Sequence, residues 1–155
     1  MPDIALKLGD EAETIPGFLL WQVSKLWQRH LTLAVQDLQL ASTQAVILAN
    51  VLRFSEEGRQ VTQALVSDAA KVDRMTTSQS LRSLQQKGYV TRVAVPGDRR
   101  AYLIQLTPTG RRVAFGAIER LAATHHAFFK PLENQTAEVV GYLQKLIEAN
   151  EIHAG

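Results

Sequence analysis

The chain has 155 residues, 46% hydrophobic and 21% charged, with no cysteine, so one domain with an ordinary core is expected and disulfides, thiolate metal sites and cysteine redox chemistry are excluded. The formal net charge is only +2, but residues 82–112 carry seven Lys/Arg and a single acid, against ten basic and fourteen acidic residues elsewhere. Positive charge concentrated in one stretch is the footprint of a polyanion partner, although a plain solvated basic face has the same composition.

Residues 1–15 read as a polar arm without the apolar stretch of a secretory signal, and no apolar run approaches the roughly 18 residues of a membrane span. A cytoplasmic protein with no membrane partner is therefore expected. Pro16 opens a first helix to about Gln36, with Leu20, Val23, Trp27, Leu31, Ala34 and Leu38 at helical spacing. Ser42 or Thr43 is expected to cap a second helix ending near Gly58, Thr62 a short third through about Ala70, and Asp73 a fourth. The fourth has Leu81 and Leu84 on its apolar face, with Thr77 as a further candidate for that face, and Gly88 stands where a helix-terminating glycine belongs. Tyr89–Val95 and Ala101–Leu106 alternate like strands. Val95-Pro96-Gly97-Asp98 between them suits a type II turn, because proline presets φ at the second position and glycine accepts positive φ at the third. Thr107-Pro108 then starts a fifth helix to about Phe129, with Val113, Ile118, Leu121, His125 and Phe128 on one side. Pro131 ends it, and a last helix starts at Asn134 or Thr136 and carries Val139, Leu143, Leu146 and Ile147.

This order predicts a mainly α fold with a small β-hairpin wing: a winged helix-turn-helix over residues 42–106, flanked by helical regions at 16–40 and 108–153, all in one domain over 1–155. The apolar stripes of the flanking helices lie outside the small lobe. A second copy of the chain is the simplest way to bury them, which makes a homodimer the expected state.

Three short patterns then identify a family. Leu81-x-x-Leu84-x-x-Lys87-Gly88-Tyr89-Val90-x-Arg92, Asp98-Arg99-Arg100-Ala101 and Leu106-Thr107-x-x-Gly110 occur in order and at family spacing. On these the chain resembles MarR-type (multiple antibiotic resistance) transcriptional regulators over roughly residues 16–150. Thr77 and Gln79 depart from the small hydrophobic residue and the arginine often found there, and Lys71 stands where the family often has glycine. A non-glycine residue in the left-handed region costs about 1 kcal/mol, so either the turn differs or the strain is tolerated.

The resemblance implies that the fourth helix enters the major groove of double-stranded DNA. Its candidate reading residues are Thr76, Thr77, Ser78, Gln79 and Arg82. Gln79 can make two hydrogen bonds to adenine, Arg82 can reach guanine or a phosphate, and the hydroxyls of Thr76 and Ser78 suit phosphates or base edges. Thr76 equally suits helix capping. In the wing, the resemblance makes Arg100 the side chain inserted in the minor groove and Asp98 the group orienting its guanidinium. Arg99 fits either a phosphate contact or solvation. Many relatives bind a small aromatic or phenolic molecule between the dimerisation helices and the DNA-binding lobe. The residues to line such a site here are Trp21, Trp27, His30, Arg53 and His125, although a Trp on a helix stripe equally suits core or dimer interface.

The resemblance implies a sequence-specific regulator, by the family's commoner mode a repressor, binding a pseudo-palindromic operator as a homodimer. The alternatives are a helical dimer that serves as a protein-interaction module, or an architectural DNA binder without sequence preference. No enzyme activity or cofactor is expected: there is no phosphate-binding glycine loop, no G-x-S-x-G and no H-E-x-x-H. No metal site is expected either. His125 and His126 are adjacent and point about 100° apart on a helix, unlike an i, i+4 ligand pair.

Overall fold

The computed structural model describes residues 14–151. The expected N-terminal arm lies almost wholly outside them, as do residues 152–153 of the expected C-terminal region. The elements are α1 (Pro16–Val35), α2 (Ser42–Glu56), α3 (Gln63–Ala70), α4 (Arg74–Gln86), β1 (Val90–Val95), β2 (Asp98–Leu106), α5 (Pro108–Phe129) and α6 (Thr136–Asn150). Short 3-10 turns at Gln36–Leu38 and Lys130–Gln135 lead out of α1 and α5. The fold is that of a winged helix-turn-helix with helical extensions at both ends.

α2 is the hub. Ile47, Leu48, Val51, Leu52 and Phe54 are all buried, against Val66 of α3, Leu81 and Leu84 of α4, and Val90 and Ile104 of the hairpin. The α5 residues deepest in this core are Gly110, Ala114 and Ala117, rather than the larger Val113, Ile118 and Leu121, which pack at its edge. Small residues spaced three and four apart make one flat seam, which lets α5 lie close against the rest of the core.

Side-chain caps set the starts of α3, α4 and α5. Thr62 Oγ1 accepts from the Leu65 N–H at 3.2 Å, and an Asp73 carboxylate oxygen accepts from the Thr76 N–H at 2.8 Å. The start of α2 differs from expectation. Neither Ser42 nor Thr43 caps it; Ala41 is the cap residue, and Gln44 reaches back so that its Oε1 accepts the Ala41 N–H at 3.1 Å. The turn between α3 and α4 does place Lys71 in the left-handed region, with φ 52°. Buried Ser67 holds that turn, its hydroxyl donating to the Val72 carbonyl at 2.6 Å, so the strain is met by a local bond rather than by glycine.

The hairpin pairs in register from Val90↔Leu106 to Ala94↔Tyr102, then shifts to Val95↔Asp98 around Gly97, whose φ is +87°. Arg99, Arg100 and Ala101 therefore have no residue opposite them, and the strand bulges outward at the arginines. A contact absent from the expectation is a third short edge: Thr62 bridges Leu103, and the Val61 carbonyl accepts the Ile104 N–H at 2.8 Å, tying the hairpin to the start of α3.

The terminal helices are finished differently. α1 buries only Leu31 and Val35, and α6 buries nothing. Trp21, Leu26, Tyr142, Leu146 and Ile147 are each more than half exposed. No helix among the described residues is long and apolar enough to cross a membrane.

Candidate nucleic-acid interface

α4 begins at the Asp73 cap, and Arg74 and Met75, its first two residues, are exposed. Gln79 and Arg82 are exposed, and Ser78 is half-buried. Arg82 makes only a long, 3.5 Å contact to the Ser78 hydroxyl, so its guanidinium keeps most of its donors. Gln79 likewise faces outward from the helix. These three are presented together on one side of α4.

Two of the expected reading residues are placed otherwise. Thr77 is fully buried, and its hydroxyl donates to the Asp73 carbonyl at 2.9 Å. It follows Leu81 and Leu84 into the core and cannot face a base; the physical reason is helical spacing, since positions 77, 81 and 84 share one face. Thr76 donates its hydroxyl to Asp73 Oδ2 at 2.7 Å while its N–H bonds the other carboxylate oxygen, so its hydroxyl completes the cap. These two bonds, the backbone one first, hold the Asp73 carboxyl below its ordinary pKa.

At the wing tip Asp98, Arg99 and Arg100 are all exposed. Asp98 does not grip the Arg100 guanidinium as expected. Its carboxylate accepts the Arg100 backbone N–H at 2.9 Å, an Asx-type turn two residues long. It shapes the bulged backbone and leaves the guanidinium unpaired. Among the described residues the ion pairs are Arg59–Glu57, Lys71–Glu151, Arg111–Glu56 and Arg120–Asp37. None includes Arg74, Arg82, Arg92, Arg99 or Arg100. Arg29, Arg53 and Arg112 are also in no ion pair among the described residues, but only beside α4 and the wing do five such arginines gather.

Two of these, Arg74 and Arg92, were not singled out from the sequence as site residues. Both line a cleft of about 430 Å³ between the wing and the starts of α3 and α4, together with Arg100 and Tyr102. Alternation along β1 was the available signal for Arg92: it sits two residues from buried Val90, on the same inward face.

The residues expected around an effector divide. Trp27, His30 and His125 come together with Phe128 and Phe129 in one aromatic cluster between α1 and α5, with Trp27 edge-on to His125 and Phe128. Trp21 and Arg53 are elsewhere: Lys25 lies over the Trp21 ring, and Arg53 stacks on Phe54 and bonds Asn50. A cavity of about 90 Å³ is lined by His125, His126, Phe129 and Glu133, but by none of Trp21, Trp27, His30 or Arg53. Among the described residues no group of three His, Cys, Asp or Glu is placed to hold a metal ion.

Comparison with known proteins gives a consistent answer. Residues 32–122 match the ArnR1-like winged-helix domain family. The uncharacterized HTH-type transcriptional regulator YdcH of Bacillus subtilis is 33% identical over 116 residues, covering 75% of this chain and 79% of that protein. Among solved structures, Escherichia coli MarR C80S complexed with operator DNA superimposes with a TM-score of 0.75 at 23% identity, covering 90% of this chain and 99% of that one. CouR of Rhodococcus jostii bound to p-coumaroyl-CoA superimposes with a TM-score of 0.76 at 21% identity, covering 94% and 100%. That family and fold are those of transcriptional regulators rather than enzymes. A helix-turn-helix with an arginine-tipped wing, continuous with a regulator 33% identical to it, leaves one assignment: the chain belongs to the MarR family of DNA-binding winged helix-turn-helix transcriptional regulators.

Proposed function

We propose that the chain is a repressor that binds a pseudo-palindromic operator as a homodimer. The observation that carries this reading is the grouping beside α4 and on the wing of five arginines, Arg74, Arg82, Arg92, Arg99 and Arg100, that enter no ion pair among the described residues. Gln79 and Arg82 read base edges in the major groove, Ser78 supports them at base edges or phosphates, and Arg100 enters the minor groove while Arg99 meets a phosphate. Asp98 shapes the tip through the Arg100 N–H. A second copy covers the apolar stripes of α1 and α6, and its recognition helix stands about 34 Å from the first, one turn of B-DNA.

The aromatic cluster of Trp27, His30 and His125 joins α1 to α5, between the helical extension and the helix that packs on the DNA-binding lobe, so it is where a small aromatic effector acts. Such a ligand releases DNA only if it binds better to the conformer whose recognition helices are mis-spaced. CouR, of the same fold, carries a p-coumaroyl thioester. Trp21 and Arg53 serve this site only from a partner copy, because within one protomer they stand apart from the cluster.

The test is titration of the protein with duplex from the intergenic region beside its own gene and with random duplex, at several salt concentrations. The reading expects tight, salt-sensitive binding to the first and affinity weaker by a factor of about 10³ or more for the second. Equal affinities would make the chain an architectural binder, and no duplex binding at all would leave a protein-interaction module. Sedimentation at micromolar concentration should give a dimer; a monomer would contradict the proposal.

A further inference from the structure

The first turn of α4, Arg74 to Thr77, has lost both hydroxyls that the sequence offered for reading bases. Thr77 is buried and bonded to the Asp73 carbonyl, and the Thr76 hydroxyl is spent on the Asp73 carboxylate. Arg74 lines the cleft towards the wing, beside Arg92 and Arg100. That leaves Met75. It is 71% exposed, more than any other large apolar side chain among the described residues.

A single exposed apolar residue is ordinary. The direction of this one is not. Successive residues of a helix turn by about 100°, so Met75, Gln79 and Arg82 fall within about 60° of one another, opposite Thr77, Leu81 and Leu84. The burial follows that division: positions 75, 79 and 82 are exposed, and 77, 81 and 84 are buried. Met75 therefore heads the same stripe that carries Gln79 and Arg82. Its backbone is held from both sides, by the Thr76 N–H donating to Asp73 at 2.8 Å and by Gln63 Nε2 donating to the Arg74 carbonyl at 3.2 Å. A fixed backbone leaves only the side chain to be ordered on docking, and an unbranched thioether adapts to an irregular surface.

A thioether has no N–H or O–H to donate and is a weak acceptor, so it is blind to the polar pattern of the base edges. The apolar feature of the major groove is the 5-methyl group of thymine. With a rise of about 1.5 Å per residue, Met75 stands about 6 Å along α4 from Gln79, less than two base-pair steps of about 3.4 Å.

We propose that Met75 is a specificity-determining residue of α4, packing its side chain on the 5-methyl group of a thymine within about two base pairs of the adenine bonded by Gln79. This inference rests on the DNA-binding reading above. It gives the front of the recognition helix an apolar contact in place of the hydroxyl contacts that the Asp73 cap removes.

Deoxyuridine lacks only the thymine methyl, and so provides the test. In duplex from the intergenic region beside the gene, thymines are replaced by deoxyuridine in symmetric pairs, one in each half-site, and affinity is measured for the protein, Met75→Ala and Met75→Leu. One such pair should weaken binding by the parent protein about tenfold, or about threefold for each methyl. Met75→Ala should bind the thymine duplex at least as weakly as the parent binds that uridine duplex, and should be indifferent to the replacement. Met75→Leu keeps an apolar contact and should keep most of the methyl effect. Because Met75 is exposed and alanine favours helix, the thermal midpoint should not change. An undiminished methyl effect in Met75→Ala would assign the contact to another residue. Affinity lost equally for operator and random duplex, with no dependence on any thymine methyl, would make Met75 a group that packs on the sugar backbone. Either result, or unaltered operator affinity in Met75→Ala, overturns the proposal while leaving the DNA-binding reading in place. If the parent protein bound no duplex, that reading would fall and this inference with it.

Discussion

The lobe built on α2 and the pair of terminal helices α1 and α6 use similar apolar residues to opposite ends. In the lobe, Ile47, Leu48 and Leu81 are completely buried by the chain's own elements. On α6, Leu143, Leu146 and Ile147 are 40–53% exposed, and the helix buries nothing within the protomer. The lobe is complete as a single copy, while the ends leave apolar surface that the proposed association would cover. On this contrast the stability of the wing and recognition helix should be separable from the state of assembly.

The comparison breaks most sharply at Gly110. A Cβ built there would stand 1.7 Å from the Tyr89 carbonyl oxygen, inside backbone that cannot retreat. Thr107 Oγ1 accepts from the Gly110 N–H at 2.9 Å, which pins the start of α5 in place. Gly110→Ala should lower folding stability by more than about 3 kcal/mol, measured by chemical denaturation. Leu48→Ala should follow, at about 2–5 kcal/mol by the same measurement, since it leaves a cavity in the hub helix. Leu146→Glu paired with Ile147→Glu should instead convert dimer to monomer in sedimentation while the lobe's near-ultraviolet circular dichroism persists. Loss of that signal would mean that the lobe depends on the terminal helices after all.

The smallest expected effect concerns pH. Because the folded-state pKa of Asp73 is lowered by its bonds to Thr76, its contribution to stability is present above the ordinary value of 3.8 and fades as pH falls through the lowered folded value. Asp73→Asn retains an N-cap but lacks the charge. The difference in thermal midpoint between it and the parent protein should therefore be present at neutral pH and shrink on acidification below about pH 4. Asp37, lowered first by its hydrogen bond from Arg120, contributes with the same sign elsewhere and serves as an internal comparison.

Much of this molecule could be read from residue types whose local demands are unambiguous. Gly88, with φ +75°, Gly97 at the turn, and the Thr62 and Asp73 caps all stand where spacing put them. What was misread turned on direction rather than on element type. The sequence makes Thr77 a candidate both for the apolar face and for reading DNA, and the packed Leu81 and Leu84 decide for the apolar face. Asp98 and Arg100 are two apart, and their spacing does not reveal whether the carboxylate meets the backbone or the guanidinium. Arg92 and Arg74 come together through the wing and two helix starts, a junction of segments distant in sequence that no local pattern encodes. The single bridge of Thr62 to Leu103 is too short to leave a strand pattern.

The account's central claim is that the unpaired arginine surface, and not the core beneath it, carries DNA binding. Arg100→Ala tests it most directly, with operator affinity by anisotropy and thermal midpoint measured on the same protein. The account predicts affinity weakened by about tenfold or more with the midpoint unchanged, because an exposed, unpaired side chain adds nothing to folding while a minor-groove arginine adds much to binding. Unaltered affinity would contradict it.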